Sequence, residues 1–310
     1  MRKPWRRVLY VGGLGIGGLL FVSQIWNGYR AVIQNTVHIS SPALIGVALL
    51  LTMGAAGLQM TAWAVLMHGL NVHVPWRKVI SGYALSFLPR YIPGTVWGYL
   101  SRNEWLYQGY NVSYTVSNFG SILEVIAIVC ANCMTLGIYF ASVSPNLARF
   151  AWIIFVFIFP ILVWALLAWG LGQKCIQRRL ARNSVNSSFR VAFNNWIMVM
   201  LIYIGLWFCY GTLLSIIVDS FGFTQTSGTP GIVSYTFMFG LSWLIGFAVI
   251  FVPSGLGVRE SVLVGLIIAY VGLGESKASL VSVMSRLLIS FSELAWICAG
   301  VIINYRSKRD

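Results

Sequence analysis

Charge is what this chain has least of. Asp, Glu, Lys and Arg together make up 9% of its 310 residues, and just 7 are acidic; soluble domains carry about 25%. Cysteine is scarce too. The five cysteines, Cys130, Cys133, Cys175, Cys209 and Cys298, are odd in number and lie mostly in apolar stretches, so no disulfide framework is expected. The C-x-x-C spacing of Cys130 and Cys133 falls inside an apolar run without ligand neighbours, and neither a redox nor a metal role is read from it. His38, His68 and His73 lie in or near short loops without metal-ligand spacing, so no metal or other cofactor is expected. These shortages exclude a cytosolic enzyme, a secreted disulfide scaffold and a single-anchor receptor.

What the chain has in abundance is hydrocarbon. Hydrophobic residues make up 58% of it and the mean hydropathy is +0.80. Apolar runs near 20 residues recur throughout, each long enough to cross about 30 Å of lipid. The sequence is that of an all-α polytopic membrane protein forming a single integral membrane domain over 1–310. The net charge of +14 comes from basic residues beside hydrophobic segments, which points to topology and anionic lipid; no nucleic-acid partner is expected.

Six full spans are expected at about 8–29, 42–67, 112–141, 150–171, 195–218 and 279–303. The first follows Arg2, Lys3, Arg6 and Arg7 like a signal peptide, but no small-x-small site ends it, and it reads as a retained helix. Its Gly13, Gly15 and Gly18 match a dinucleotide spacing without the preceding strand that motif needs, so close helix packing is the expected use. Two more apolar stretches, about 79–108 and 232–273, are interrupted at their centres by Pro and Gly. Each reads as a re-entrant hairpin of two half-helices around a broken tip. Turned back in this way, they place Arg2 to Arg7, Arg77, Lys78, the basic loop 172–193 and the tail from Arg306 on the cytoplasmic face. Arg30, Arg149 and Lys277 fall outside, as the positive-inside rule favours. Both termini are then cytoplasmic. The halves, about 1–141 and 150–303, repeat one element order from opposite sides, an inverted-topology repeat of the kind transporters use. The loop from Lys174 to Arg190 is expected to lie on the anionic inner leaflet.

The two tips carry the chemistry. The first reads Leu88-Pro89-Arg90-Tyr91-Ile92-Pro93-Gly94-Thr95-Val96-Trp97-Gly98 and is followed by Arg102 and Glu104; the second reads Val252-Pro253-Ser254-Gly255-Leu256-Gly257-Val258-Arg259-Glu260. Pro ends a helix and Gly admits a turn or a close ligand. Half-helices starting after Gly94 and Gly257 would aim positive N-termini into a polar cavity, which suits a phosphate. Of the seven acidic residues, Glu104, Glu124, Glu260 and Glu293 belong to the hairpins or to the span after each. An ionised group at the bilayer centre costs about 3 kcal/mol on insertion scales, so such groups are paired or functional. Two readings follow for Arg90, Arg102, Arg259 and Arg286. They brace the hairpins through ion pairs with those glutamates, or at least two of them grip a headgroup phosphate through the planar guanidinium fork. Both can hold at once, with Glu releasing Arg when lipid arrives.

At these tips the sequence resembles a known family. Arg90-Tyr91-Ile92-Pro93-Gly94 with Trp97, and Pro253 through Glu260, are similar to two signatures of the membrane domain of lysylphosphatidylglycerol synthase/flippase proteins and their stand-alone flippase-like relatives. The resemblance implies a plasma-membrane protein that moves phospholipid or lipid-linked sugar between leaflets, in some members beside a cell-envelope glycosyltransferase. The full-length synthases carry an aminoacyl-transferase domain after the membrane part. None follows here before Asp310, so lysyl transfer is not expected of these residues.

The expected function is a lipid translocase for an anionic phospholipid or a polyprenyl-phosphate-linked lipid, not an enzyme. Arg90, Pro93, Gly94, Trp97, Arg102, Gly255, Gly257, Arg259 and Arg286 would form the substrate site, with Glu104, Glu124, Glu260 and Glu293 as charge partners or proton relay. Two rivals stand beside it. One is an accessory subunit of an envelope glycan- or lipid-modifying system. The other is a polyprenyl-phosphate-dependent glycosyltransferase, disfavoured because Asp219 and Glu275 sit alone in short outer loops. Headgroup, direction, energy source and oligomeric state are left open.

Overall fold

The computed structural model describes residues 22, 26, 29, 30, 33, 39–72, 74–91, 97–167, 192–223, 230–249 and 255–306. Among them every regular element is helical: α1 (Pro42–Gly69), α2 (Trp76–Leu85), a 3-10 turn (Leu88–Tyr91), α3 (Trp97–Tyr110), α4 (Tyr114–Val143), α5 (Asn146–Leu166), α6 (Phe193–Ser220), α7 (Ile232–Ala248), α8 (Val258–Val271) and α9 (Glu275–Arg306). The chain is an all-α, multi-pass membrane protein. Five of these helices, α1, α4, α5, α6 and α9, are long and apolar enough to cross a bilayer, and they coincide within a few residues with five of the six expected spans. The first expected span lies almost wholly outside the described residues, as does the basic loop 172–193. Val22, Trp26, Tyr29, Arg30 and Ile33 within or beside that span are helical and exposed.

Both interrupted stretches are broken where Pro and Gly cluster. At 1.5 Å per residue, the pieces α2, α3, α7 and α8 run about 15, 21, 26 and 21 Å, each short of the roughly 30 Å hydrocarbon core. The helix ends have local causes. Pro42 opens α1 at its first turn, where the missing amide costs nothing. Ser113 caps α4 by accepting the Val116 N–H. Asn71 and Asn111 follow α1 and α3 at φ 58° and 53°, the left-handed turn that Asn tolerates.

Packing orders the bundle. α1 runs along α6, α4 lies against α5, α6 and α7, and α9 is held by α1, α2 and α8. The Ser40 and Ser41 amides donate to the Ser220 carbonyl, joining the start of α1 to the end of α6. At the opposite end, Gly69 lies against the Asn195 side chain. Between α6 and α7 the backbones nearly touch: a Cβ on Gly211 would lie 2.7 Å from the Thr236 amide nitrogen, the small-residue contact that lets membrane helices approach. α5 is peripheral, with Val156 and Pro160 its buried residues and Leu147, Phe150, Phe157 and Leu162 exposed. Exposed leucine and phenylalanine on a spanning helix face lipid, which solvates them at no cost.

Candidate functional site

Arg102 and Glu124 make the tightest of the ion pairs. Arg102 Nη2 donates to Glu124 Oε2 at 2.5 Å, and the side chains are 1% and 3% exposed. The same nitrogen donates to Ser121 Oγ at 3.3 Å, and the guanidinium stacks 4.3 Å over Trp63 and 4.5 Å over Tyr83. The other Glu124 oxygen accepts from Tyr83 Oη at 2.7 Å and from Tyr203 Oη at 3.3 Å. One carboxylate thus ties α2, α3, α4 and α6. Removing one member of such a buried pair costs about 3–5 kcal/mol, because the other charge is left unpaired in a low dielectric.

The other pairs are looser. Arg90 Nη1 lies 3.7 Å from Glu293 Oε1, with 25% and 14% exposure, and Arg286 Nε lies 3.7 Å from Glu260 Oε1, with 10% and 3%. At 3.7 Å the charges attract but do not hydrogen-bond, so an incoming oxygen at 2.8 Å would bind the guanidinium more strongly. Arg90 also donates to Tyr83 Oη at 3.0 Å, which links the first tip to the buried Arg102–Glu124 pair. Its stem passes Gly98, where a Cβ would meet Arg90 Cγ at 2.8 Å. Arg259 stacks 4.4 Å over the Phe239 ring, and among the described residues no carboxylate lies within ion-pairing distance of it. Arg90 of the first broken stretch thus pairs with Glu293 of α9, while Arg259 of the second packs on Phe239 of α7.

The glycines of the second tip are architectural. Gly255 takes φ +65°, and a Cβ there would lie 3.0 Å from the Gly246 carbonyl of α7. Gly257 takes φ +81° and caps α8; both positions penalise any side chain. The Gly257 N–H donates to Glu260 Oε2 at 2.6 Å. This is half of a capping box, since glycine has no side chain to return the bond. A carboxylate from the protein itself thus occupies the α8 N-terminus, where the sequence suggests a phosphate.

The remaining expected residues are placed as follows. Trp97 opens α3 and is exposed. Glu104 stands apart from the network, accepting from Gln108 Nε2 at 2.5 Å and from Tyr114 Oη at the exposed end of α3. Pro93 and Gly94 lie outside the described residues. Among the described residues no group of three His, Cys, Asp or Glu side chains is placed to hold a metal. Tyr83, Tyr203, Tyr210 and Phe239 complete the site and were not singled out by the sequence.

Residues 10–295 match the family described as lysylphosphatidylglycerol synthase TM region. The chain belongs to this family. No curated protein matches it in sequence. Membership in the lysylphosphatidylglycerol synthase TM family covers both tips and every candidate residue above, and it gives the polar network a membrane, lipid-related setting.

Proposed function

We propose that this protein is a lipid translocase that carries an anionic phospholipid or a polyprenyl-phosphate-linked lipid across the plasma membrane. The observation that carries this reading is a pair of loosely held, largely buried arginines, one from each broken stretch: Arg90 lies 3.7 Å from Glu293, and Arg259 rests on the Phe239 ring. A passive anchor gains nothing from charges that cost several kcal/mol to insert. In this reading α2–α3 and α7–α8 are re-entrant hairpins in an inverted repeat, with both termini cytoplasmic. Arg90, Arg259 and Arg286 hold the phosphate while the acyl or prenyl chains stay in the bilayer, and one repeat rocks against the other to expose the site to each leaflet. The tight Arg102–Glu124 pair serves as a brace. A cell-envelope glycosyltransferase that supplies or consumes the lipid is the expected partner.

Reconstitution into vesicles with fluorescent phosphatidylglycerol tests the reading. Faster leaflet exchange with protein than without supports it, and equal exchange refutes it. Arg259→Ala should reduce exchange at least about tenfold with little change in unfolding temperature, because Arg259 rests on a ring rather than in an ion pair; lost stability with unchanged exchange would assign Arg259 to the brace instead.

A further inference from the structure

The two halves of the chain, α1 to α4 and α6 to α9, meet along surfaces of different construction. α1 and α6 share the most extensive of them among the described residues, and it is closed at both ends. The Ser40 and Ser41 amides donate to the Ser220 carbonyl at 2.8 and 3.2 Å, and at the other end Gly69 lies against the Asn195 side chain. Each broken stretch also leans on a spanning helix of the opposite half. α2 lies on α9, where a Cβ on Gly300 would come within 3.2 Å of the Ser81 carbonyl oxygen. α7 lies on α4, and that contact is of another kind. Near the middle of both helices, fully buried Asn132 donates from Nδ2 to the Gly240 carbonyl at 2.8 Å. Its Oδ1 has no hydrogen-bond partner among the described residues.

A buried amide with an unmet acceptor costs free energy that a leucine of similar shape would not. Asn132 therefore weakens the closed seam as a static joint. If the seam parts and water enters, both ends of the carboxamide are solvated, whereas a leucine would be left exposed. Asparagine thus brings the closed and open seams closer in free energy than leucine would. Gly240 completes the contact, since a Cβ there would run into Asn132 Oδ1. Tyr139 stacks on Phe237 at 4.0 Å further along the same seam. The seam reaches the candidate site through Phe239, which neighbours Gly240 and carries Arg259 at 4.4 Å. We propose that the α1–α6 pair is a fixed axis and that the α4–α7 seam is a gate, poised by Asn132 and closed in this structure. The gate rests on the rocking motion of the proposed function and gives that motion a place. Opening it moves the Phe239 ring, and Arg259 with it.

Spin labels in a cysteine-free background measure both joints. Labels at Val143→Cys and Ile232→Cys, exposed at the ends of α4 and α7, should report two distances across the seam. Labels at Ile39→Cys and Asp219→Cys, beside the start of α1 and the end of α6, should report one. Gly240→Ala should raise the share of the longer seam distance at least about threefold, and Asn132→Leu should lower it by a similar factor. A single distance across the unaltered seam, a share that either folded variant leaves unmoved, or a second distance at the axis overturns the proposal. If a variant fails to fold, the two label pairs with Asn132 and Gly240 unchanged decide. A short, reducible thiol cross-linker across the seam pair separates gate from transport. Leaflet exchange that stops and returns with reductant supports the gate; exchange unchanged by the cross-link overturns the gate and leaves the translocase reading standing. Two seam distances in a protein that never speeds exchange would sink the translocase reading and leave the gate.

Discussion

Tyr83 shows how a single side chain couples two parts of the site. Its hydroxyl donates to Glu124 and accepts from Arg90, so the buried brace and the looser tip arginine share one phenol. Tyr83→Phe should cost about 1–2 kcal/mol through the unmet Glu124 acceptor and loosen Arg90, visible as a weaker apparent lipid affinity. Glu124→Ala is expected to be harsher, lowering unfolding free energy by about 3–5 kcal/mol; adding Arg102→Met should recover most of the loss, because two apolar groups leave no orphan charge. Unfolding of the purified protein in detergent measures both. The arginines and glutamates were legible in the sequence because charge is so rare in it. The tyrosines were not: the chain has 14 Tyr and 18 Phe, and no spacing distinguishes Tyr83 or Phe239 from aromatics that merely pack. Nor does sequence say which Arg meets which Glu. Glu104, expected within the network, bonds instead to Gln108 and Tyr114, because its turn of α3 lies near the exposed end.

The elements follow from punctuation. Pro and Gly predicted breaks within 79–108 and 232–273, and the structure breaks there. Span limits were less legible. The helix expected at 150–171 is Asn146–Leu166, because Pro145 sets its start and hydropathy does not register a cap. The self-capping of α8 by Glu260 was also hidden, since a Gly-x-x-Glu spacing carries no visible signal without the left-handed φ of Gly257. That conformation gives a sharp expectation. Gly257→Ala should lower stability by about 1–3 kcal/mol through backbone strain. Asn111→Gly, where a left-handed turn already exists at φ 53°, should be neutral or mildly stabilising. Comparing the two by thermal unfolding distinguishes backbone strain from a general sensitivity of turns.

At the scale of the whole molecule, the re-entrant proposal makes a topological statement. Single cysteines at Asn71 and Asn111, in a background freed of native cysteines, should react with a membrane-impermeant reagent from one face. A cysteine at Ser144 should react from the other. Labelling of Asn71 and Asn111 from opposite faces would mean that α2 and α3 together cross, and the inverted repeat would fall. Gly120, two turns into α4, lies against Met67 and Leu70 at the end of α1. Sequence could order the spans by charge bias, but not say which helices touch, because lipid-facing and protein-facing apolar residues look alike.

The spacing of the ion pairs along the chain implies a chronology of biogenesis. Arg102 and Glu124 sit on neighbouring helices, as do Glu260 and Arg286, so each pair can form soon after its second partner leaves the ribosome. Glu293 meets Arg90 from the far end of the polypeptide. Until α9 arrives, Arg90 must wait in the nascent protein without that carboxylate, drawn towards the lipid–water boundary where its charge is solvated. The last helix therefore completes the site as well as the bundle, and a chain cut short before it would present the membrane with an arginine still in search of its counter-ion.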